Sequence, residues 1–218
     1  MNVKAFLARF RKDTDDVVVP YFWSDAEILE YLNEAVDEAC ERAKLIEDRA
    51  TATVCNIATK ANADGYTLHP SVNEIKRATF NGRVITETSE EALDDTDPGW
   101  ESRKGTPTHY IYSPGVSLRL TPTPLAAGTV ALTVYRNPLD PLTSNNDFDE
   151  PEIHPRNHLN LLHWLYRCAY LKHDSEVYNP VKSSEHDARF EVLFGKRVGA
   201  DVRRQQRDMR PPVVKFRW

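Results

Sequence analysis

The chain has 218 residues, of which 40% are hydrophobic and 28% charged. That composition supports a packed core and excludes disorder as a description of the whole chain. No apolar run approaches the roughly 18 residues that a membrane span needs. The formal net charge of −5 is unevenly placed: residues 196–218 hold eight basic groups against two acids, so the remainder of the chain carries −11. An acidic body with a basic tail calls for a functional explanation.

The first segment places Val3, Phe6, Leu7 and Phe10 at helical spacing. Its scattered charges, and the lack of a small-residue cleavage site, argue against a signal peptide. Ser24-Asp25-Ala26-Glu27 reads as a capping box, with Ser24 meeting the Glu27 amide and Glu27 reaching back. Asp25 and Glu27 also suit the positive end of a helix dipole. The spacing of Ile28, Leu32, Ala35, Val36, Ala39, Ala43 and Ile46 predicts a helix from Asp25 to about Glu47. Arg49 to Thr59 then reads as a strand. Asn62-Ala63-Asp64-Gly65 is a turn. Val72 to Phe80 is extended, and Asn81-Gly82 is a two-residue hairpin signal into Arg83–Thr88. Ser89–Asp94 suggests a helical turn. Pro107–Tyr112 and Val116–Thr121 predict a second hairpin, and Val130–Tyr135 a further strand. Thr121-Pro122-Thr123-Pro124 and the run Asn137–Pro155 read as connectors.

The end turns helical again. His158–His173 is apolar nearly all round, as in a helix buried on several sides. A last long helix is predicted from Pro180 towards Arg207, with Pro180 in its first turn and Glu185 paired to Arg189. Pro211-Pro212 ends it before Val213-Val214-Lys215-Phe216-Arg217-Trp218. The expected fold is α+β and mainly α: a helical bundle from the N- and C-terminal helices, an inserted antiparallel β-region and an extended C-terminal arm. Residues 1–48 with 156–209 would form the bundle, residues 49–155 the β-rich insertion and residues 210–218 the arm.

Several side chains invite chemistry. His154, His158, His163 and His173 lie close in sequence, but Pro155 keeps His154 outside the helix. Satisfied or capping histidines are therefore the first reading and a metal site the second. Asp147, Asp149, Glu150 and Glu152 form an acidic cluster without the spacing or central glycine of a calcium loop. They read as a solvated connector, with an interface to a basic partner as the more interesting alternative. Cys40, Cys55 and Cys168 fit neither a disulfide framework nor a zinc pattern and suit a reducing cytoplasm. No phosphate loop, HExxH helix or nucleophile elbow occurs, so no enzyme and no cofactor is expected.

The order and spacing of several segments resemble the phage head–tail adaptor, or head-to-tail connector, family. These segments are Trp23-Ser24-Asp25-Ala26-Glu27-Ile28-Leu29-Glu30-Tyr31-Leu32-Asn33-Glu34-Ala35, Gly65-Tyr66-Thr67-Leu68-His69-Pro70, Gly105-Thr106-Pro107-Thr108-His109-Tyr110 and Leu118-Arg119-Leu120-Thr121-Pro122-Thr123-Pro124. Near the end, His158-Leu159-Asn160-Leu161-Leu162-His163-Trp164-Leu165 is followed by Arg189-Phe190-Glu191-Val192-Leu193-Phe194-Gly195.

The resemblance implies a virion protein of the neck, between capsid portal and tail, made in the host bacterial cytoplasm. It implies a twelvefold ring of copies beneath the portal protein, extending the DNA channel and docking a downstream tail (nozzle or tube) protein. The large β-block points to the short-tailed-phage type. Genomic DNA would pass through the lumen without specific binding, and no membrane is involved. An acidic body suits such a wall, because like charge repels phosphate.

Arg203, Arg204, Arg207, Arg210, Lys215, Phe216, Arg217 and Trp218 are the candidate portal-docking residues. The same basic segment could instead contact DNA, or simply complement a helix C-terminus and aid solubility.

Overall fold

A computed structural model describes residues 1–113, 117–144, 146, 148–173 and 177–199. The chain divides into two compact units. One comprises Met1–Asp48 with Tyr135–Arg197, and the other is built on Arg49–Val134.

The first unit is mainly helical. Helix α1 (Val3–Thr14) starts where the Asn2 side chain accepts from the Ala5 amide. Helix α2 (Asp25–Ala43) starts where Ser24 accepts from the Glu27 amide at 3.2 Å. Only that half of the expected capping box is used as predicted, because the Glu27 carboxylate accepts from Tyr31 and Lys172. α2 stops at Ala43, short of the expected Glu47. Lys44 turns left-handed and its amide closes on the Cys40 carbonyl. Ile46 to Asp48 then extend as strand β1 (Ile46–Asp48).

Helix α5 (His158–Tyr170) and helix α6 (Pro180–Phe194) complete the unit. α6 ends at Phe194 because Gly195 leaves helical space at φ 91°. Residues 196–199 are not helical. The rest of the expected extension to Arg207 lies outside the described residues. The four long helices share one core, in which Phe6, Phe10, Trp23, Leu32, Leu161, Leu165 and Phe190 are buried. Phe10 packs edge-on to Trp23 at 5.4 Å and stacks on Tyr166 at 5.8 Å.

The second unit carries most of an eight-stranded mixed sheet. A short helix α3 (Ala52–Cys55) precedes β2 (Asn56–Thr59) where one strand was expected. After β3 (Gly65–Thr67), β4 (Val72–Phe80) pairs antiparallel with β5 (Arg83–Thr88), and Phe80 faces Arg83 across the expected Asn81-Gly82 turn. Asn81 and Gly82 both take positive φ, as a hairpin turn of this length requires. Ser89 caps helix α4 (Glu90–Thr96), and a single turn of 3₁₀ helix (Trp100–Ser102) follows. Strand β6 (Lys104–Gly105) comes next; β7 (His109–Ser113) and β8 (Ser117–Thr121) then pair antiparallel. β9 (Thr123–Pro124) and β10 (Gly128–Arg136) complete the strands among the described residues. The sheet order is β1-β10-β4-β5-β7-β8-β3, with β2 also on β10. Val54, Ile85, Leu118, Leu120, Val130 and Leu132 form its core.

The expected architecture, a mainly helical bundle with an inserted antiparallel β-region, is therefore overturned. The sheet is a principal element, and it is mixed. β5 and β7 run parallel, with Thr86 facing His109 and Thr88 facing Ile111. That pairing needs a crossover, which α4 and the 3₁₀ turn supply. Hairpin signals between sequence neighbours do not reveal it. Strands of two to four residues, such as β1, β3 and β9, are too short to show a period.

Candidate assembly surfaces

Two features of the first unit stand out. The first is a recess beside α2. Strand β10 alternates, with Val130, Leu132 and Val134 buried. The same phase turns Arg136 inward, where its side chain is only 6% exposed. A buried guanidinium requires partners. Arg136 donates to Asp48 at 2.7 Å and forks onto both carboxylate oxygens of Glu152. Hydrogen bonds from Arg136 hold the Glu152 carboxyl below its ordinary range, against partial burial.

Glu152 also accepts from the Leu139 amide at 3.2 Å. Asn33 clasps Leu142 twice, donating to its carbonyl at 3.0 Å and accepting from its amide at 2.9 Å. These contacts fix the chain after β10 against α2 and leave a recess of about 560 Å³. Val36, Pro138, Leu139 and Leu142 make it apolar, while Asp37 and Asp140 make it acidic. The Asp37 carboxyl is raised by burial and by nearby Glu41.

The second feature is the loop joining α1 to α2. Val17, Val18 and Val19 are 58%, 74% and 72% exposed. Their base is firmly tied. Arg11 and Asp16, both buried, pair at 2.8 Å, and Arg11 also donates to the Trp23 carbonyl and to Asp25. Asp16 accepts from the amides of Phe22 and Trp23. The Arg11 guanidinium lies 3.6 Å from the centre of the Tyr21 ring.

The histidines separate into different roles. His154 accepts from the Arg156 amide and caps the turn before α5. His158 is buried, meets the Ile153 carbonyl at 3.0 Å and contacts the Met1 amine. His163 instead faces His186 of α6, with their Nδ1 atoms 3.1 Å apart. His173 stacks on Tyr178. Among the described residues, no group of three or more His, Cys, Asp or Glu side chains is placed to hold a metal.

The acidic cluster is dispersed: Glu152 serves Arg136, Glu150 pairs with the Met1 amine at 3.3 Å and Asp149 accepts from Asn146. Asp147 lies outside the described residues. Cys40, Cys55 and Cys168 are not joined in disulfides, and burial pushes Cys40 up to about 12 and Cys168 up to about 11.

The docking candidates Arg203, Arg204, Arg207, Arg210, Lys215, Phe216, Arg217 and Trp218 all lie outside the described residues. Sequence reasoning passed over Val17-Val18-Val19. Its signal was available: consecutive apolar residues with neither helical nor strand period, set between two helices. The Arg136 node gave no local signal, since its partners lie far away in the chain.

The SU10 adaptor protein family model matches residues 1–215. The chain belongs to that family. It is a family of phage head–tail adaptors, as the sequence resemblance implied. No curated protein matches the chain. Membership makes this SU10-type adaptor a virion component that works through contacts with other phage structural proteins. For such a protein, surfaces matter more than cavities. Among the described residues, no helix is long and apolar enough to cross a membrane.

Proposed function

We propose that this protein is a structural head-to-tail adaptor of the short-tailed-phage type. It forms a ring of copies beneath the portal, lengthens the DNA channel and docks the next tail protein. The observation that carries this reading is the family match, which spans residues 1–215. The charge distribution supports it. Outside residues 196–218 the chain is strongly acidic, as suits a wall along which DNA must slide without sticking. Residues 1–48 and 156–209 would face neighbouring copies, and residues 49–155 the tail. Residues 210–218 would grip the portal through Phe216 and Trp218, with Arg203, Arg204, Arg207 and Arg210 adding charge. Two aromatics of roughly 150–250 Å² each, at about 25 cal/mol per Å², could supply several kcal/mol before ordering costs. Repetition round a ring turns that into avidity. No catalytic step is assigned, in keeping with a structural family.

The basic segment supports a second reading, direct contact with DNA. Salt separates the two, because phosphate contacts weaken steeply as salt rises and an aromatic anchor does not. The experiment is light-scattering mass of the full chain, and of a version ending at Met209, alone and mixed with the portal of the same phage. Portal-bound rings formed only by the full chain support the adaptor and its arm together. A full chain that ignores the portal overturns the reading.

A further inference from the structure

After α6 the chain runs beside α2. Arg42 of α2 donates to the Gly195 carbonyl at 3.3 Å, and Arg197 lies 3.8 Å from Glu38 and 3.6 Å from Glu41. Glu41 and Asp37 are four residues apart and so share one face of the helix. Asp37 lines the acidic recess. The carboxylate that Arg197 meets is therefore one helical turn from the recess wall. Residues 200–218, which follow, lie outside the described residues. They carry six basic side chains, Arg203, Arg204, Arg207, Arg210, Lys215 and Arg217, against two acids, Asp201 and Asp208.

The recess has the opposite character. Asp37, Asp140, Asp149, Glu150 and Glu152 line it, and no lysine or arginine does. The Met1 amine and Arg136 occupy Glu150 and Glu152. Asp37 and Asp140 have no cationic partner among the described residues. Val36, Pro138, Leu139 and Leu142 add apolar wall. That mixture fits arginine, whose stem covers hydrophobic surface while its guanidinium meets a carboxylate.

We propose that in the free protein Arg203 and Arg204 seat in the recess of their own chain, with their guanidinium groups on Asp37 and Asp140. The contact holds the base of the C-terminal arm and leaves residues 210–218 beyond it. It stands whether or not the portal is the partner of that arm; a portal that binds the arm competes with the recess for these arginines.

Charge selects the segment, and reach selects its own chain. The seven residues from Arg197 to Arg204 extend up to about 25 Å, against roughly 5 Å for one turn of α2. So short a tether holds the segment near its own recess at an effective concentration in the millimolar range. A second copy in dilute solution does not match that.

The test is limited trypsin digestion of full-length protein, with cleavage after Arg203, Arg204 and Arg207 followed by intact mass. A synthetic peptide of residues 200–218 supplies the unprotected rate. The wild type should be cut roughly fivefold more slowly than the peptide, as two exposed ion pairs allow, at a rate independent of protein concentration. Asp37→Asn combined with Asp140→Asn should abolish the protection, and so should high salt. Asp37→Glu combined with Asp140→Glu should keep it. Both positions are exposed, and unchanged thermal melts check folding. Peptide-like cleavage of the wild type overturns the contact. Protection that survives the asparagine pair also overturns it, because the segment is then shielded elsewhere. Protection lost on dilution puts the segment in a second copy and overturns the own-chain assignment. Portal binding is read separately by the mixing experiment above, so the two readings fail independently.

Discussion

Arg136 and Asp48 meet at 2.7 Å across 88 positions of sequence, with side chains only 6% and 7% exposed. The pair joins the end of β10 to the strand that follows α2, and Glu152 extends it to the wall of the recess. Removing one member of a buried ion pair takes from the other, already desolvated, its charged partner. Arg136→Met should therefore cost about 3–5 kcal/mol, read from the midpoint of urea unfolding. Glu152→Gln should cost much less, because Glu152 is 40% exposed and water can replace its partner. Equal losses in the two variants would show that the burial of Asp48 is not what matters.

The histidine pair gives the protein a pH response of defined sign. Burial, then His163 and Arg189, push His186 down to about 4, and burial also lowers His163. Unfolded histidine titrates near 6.5. Between those values the unfolded chain binds protons that the folded chain refuses. Stability present above about pH 6.5 is therefore lost as pH falls towards the folded value. Unfolding midpoints should decline across that window. His186→Asn should flatten the decline, while a slope unchanged by this substitution would place its origin elsewhere.

The sequence disclosed those parts of the fold that depend on neighbours in the chain. α1, the start of α2 and the β4–β5 hairpin were legible because caps, apolar spacing and the Asn81-Gly82 turn act over a few residues. The parallel pairing of β5 with β7 was not, since no residue in either strand encodes its partner. α2 was read too long because Ile46 keeps the helical spacing of its apolar stripe, although Lys44 already turns the chain. The acidic cluster was legible as a group and misleading as a unit. Its described members, Asp149, Glu150 and Glu152, meet three different partners, and only the fold assigns Glu152 to Arg136. The valine loop was visible as a string of letters, but its exposure depends on Arg11 and Asp16 tying both ends of the loop.

The Tyr166 hydroxyl donates to Asp13 at 2.6 Å, joining α5 to α1. Partial burial raises the Asp13 carboxyl, but hydrogen bonds from Tyr166 and Arg9 outweigh it, and the group is held below its ordinary range. Tyr166→Phe removes one of those donors and keeps the ring that packs on Phe10. A loss of about 1–2 kcal/mol is expected, in the range of a hydrogen bond to a charged group near the surface. The carboxyl titration of Asp13, followed by carbon NMR, should move upward. An unmoved titration would mean that Arg9 alone sets it.

Gly128 opens β10 where the strand passes the β4–β5 turn. A β-carbon built there would lie 2.8 Å from both terminal atoms of the Asn81 side chain and from the Phe80 ring. Asn81 cannot yield freely, because its side-chain oxygen accepts from the Thr129 amide at 2.9 Å and its backbone N–H donates to the Thr129 carbonyl. Gly128→Ala should thus cost about 1–3 kcal/mol as overpacking. Asn81→Gly alone should cost about 1 kcal/mol for the lost hydrogen bond, since glycine adopts the positive φ of that position without strain. In the double variant the Asn81 side chain is gone and only the Phe80 contact remains. The combined loss should then be smaller than the sum of the two single losses, as coupled neighbours behave. Strict additivity would locate the cost of the added methyl at Phe80 rather than at Asn81.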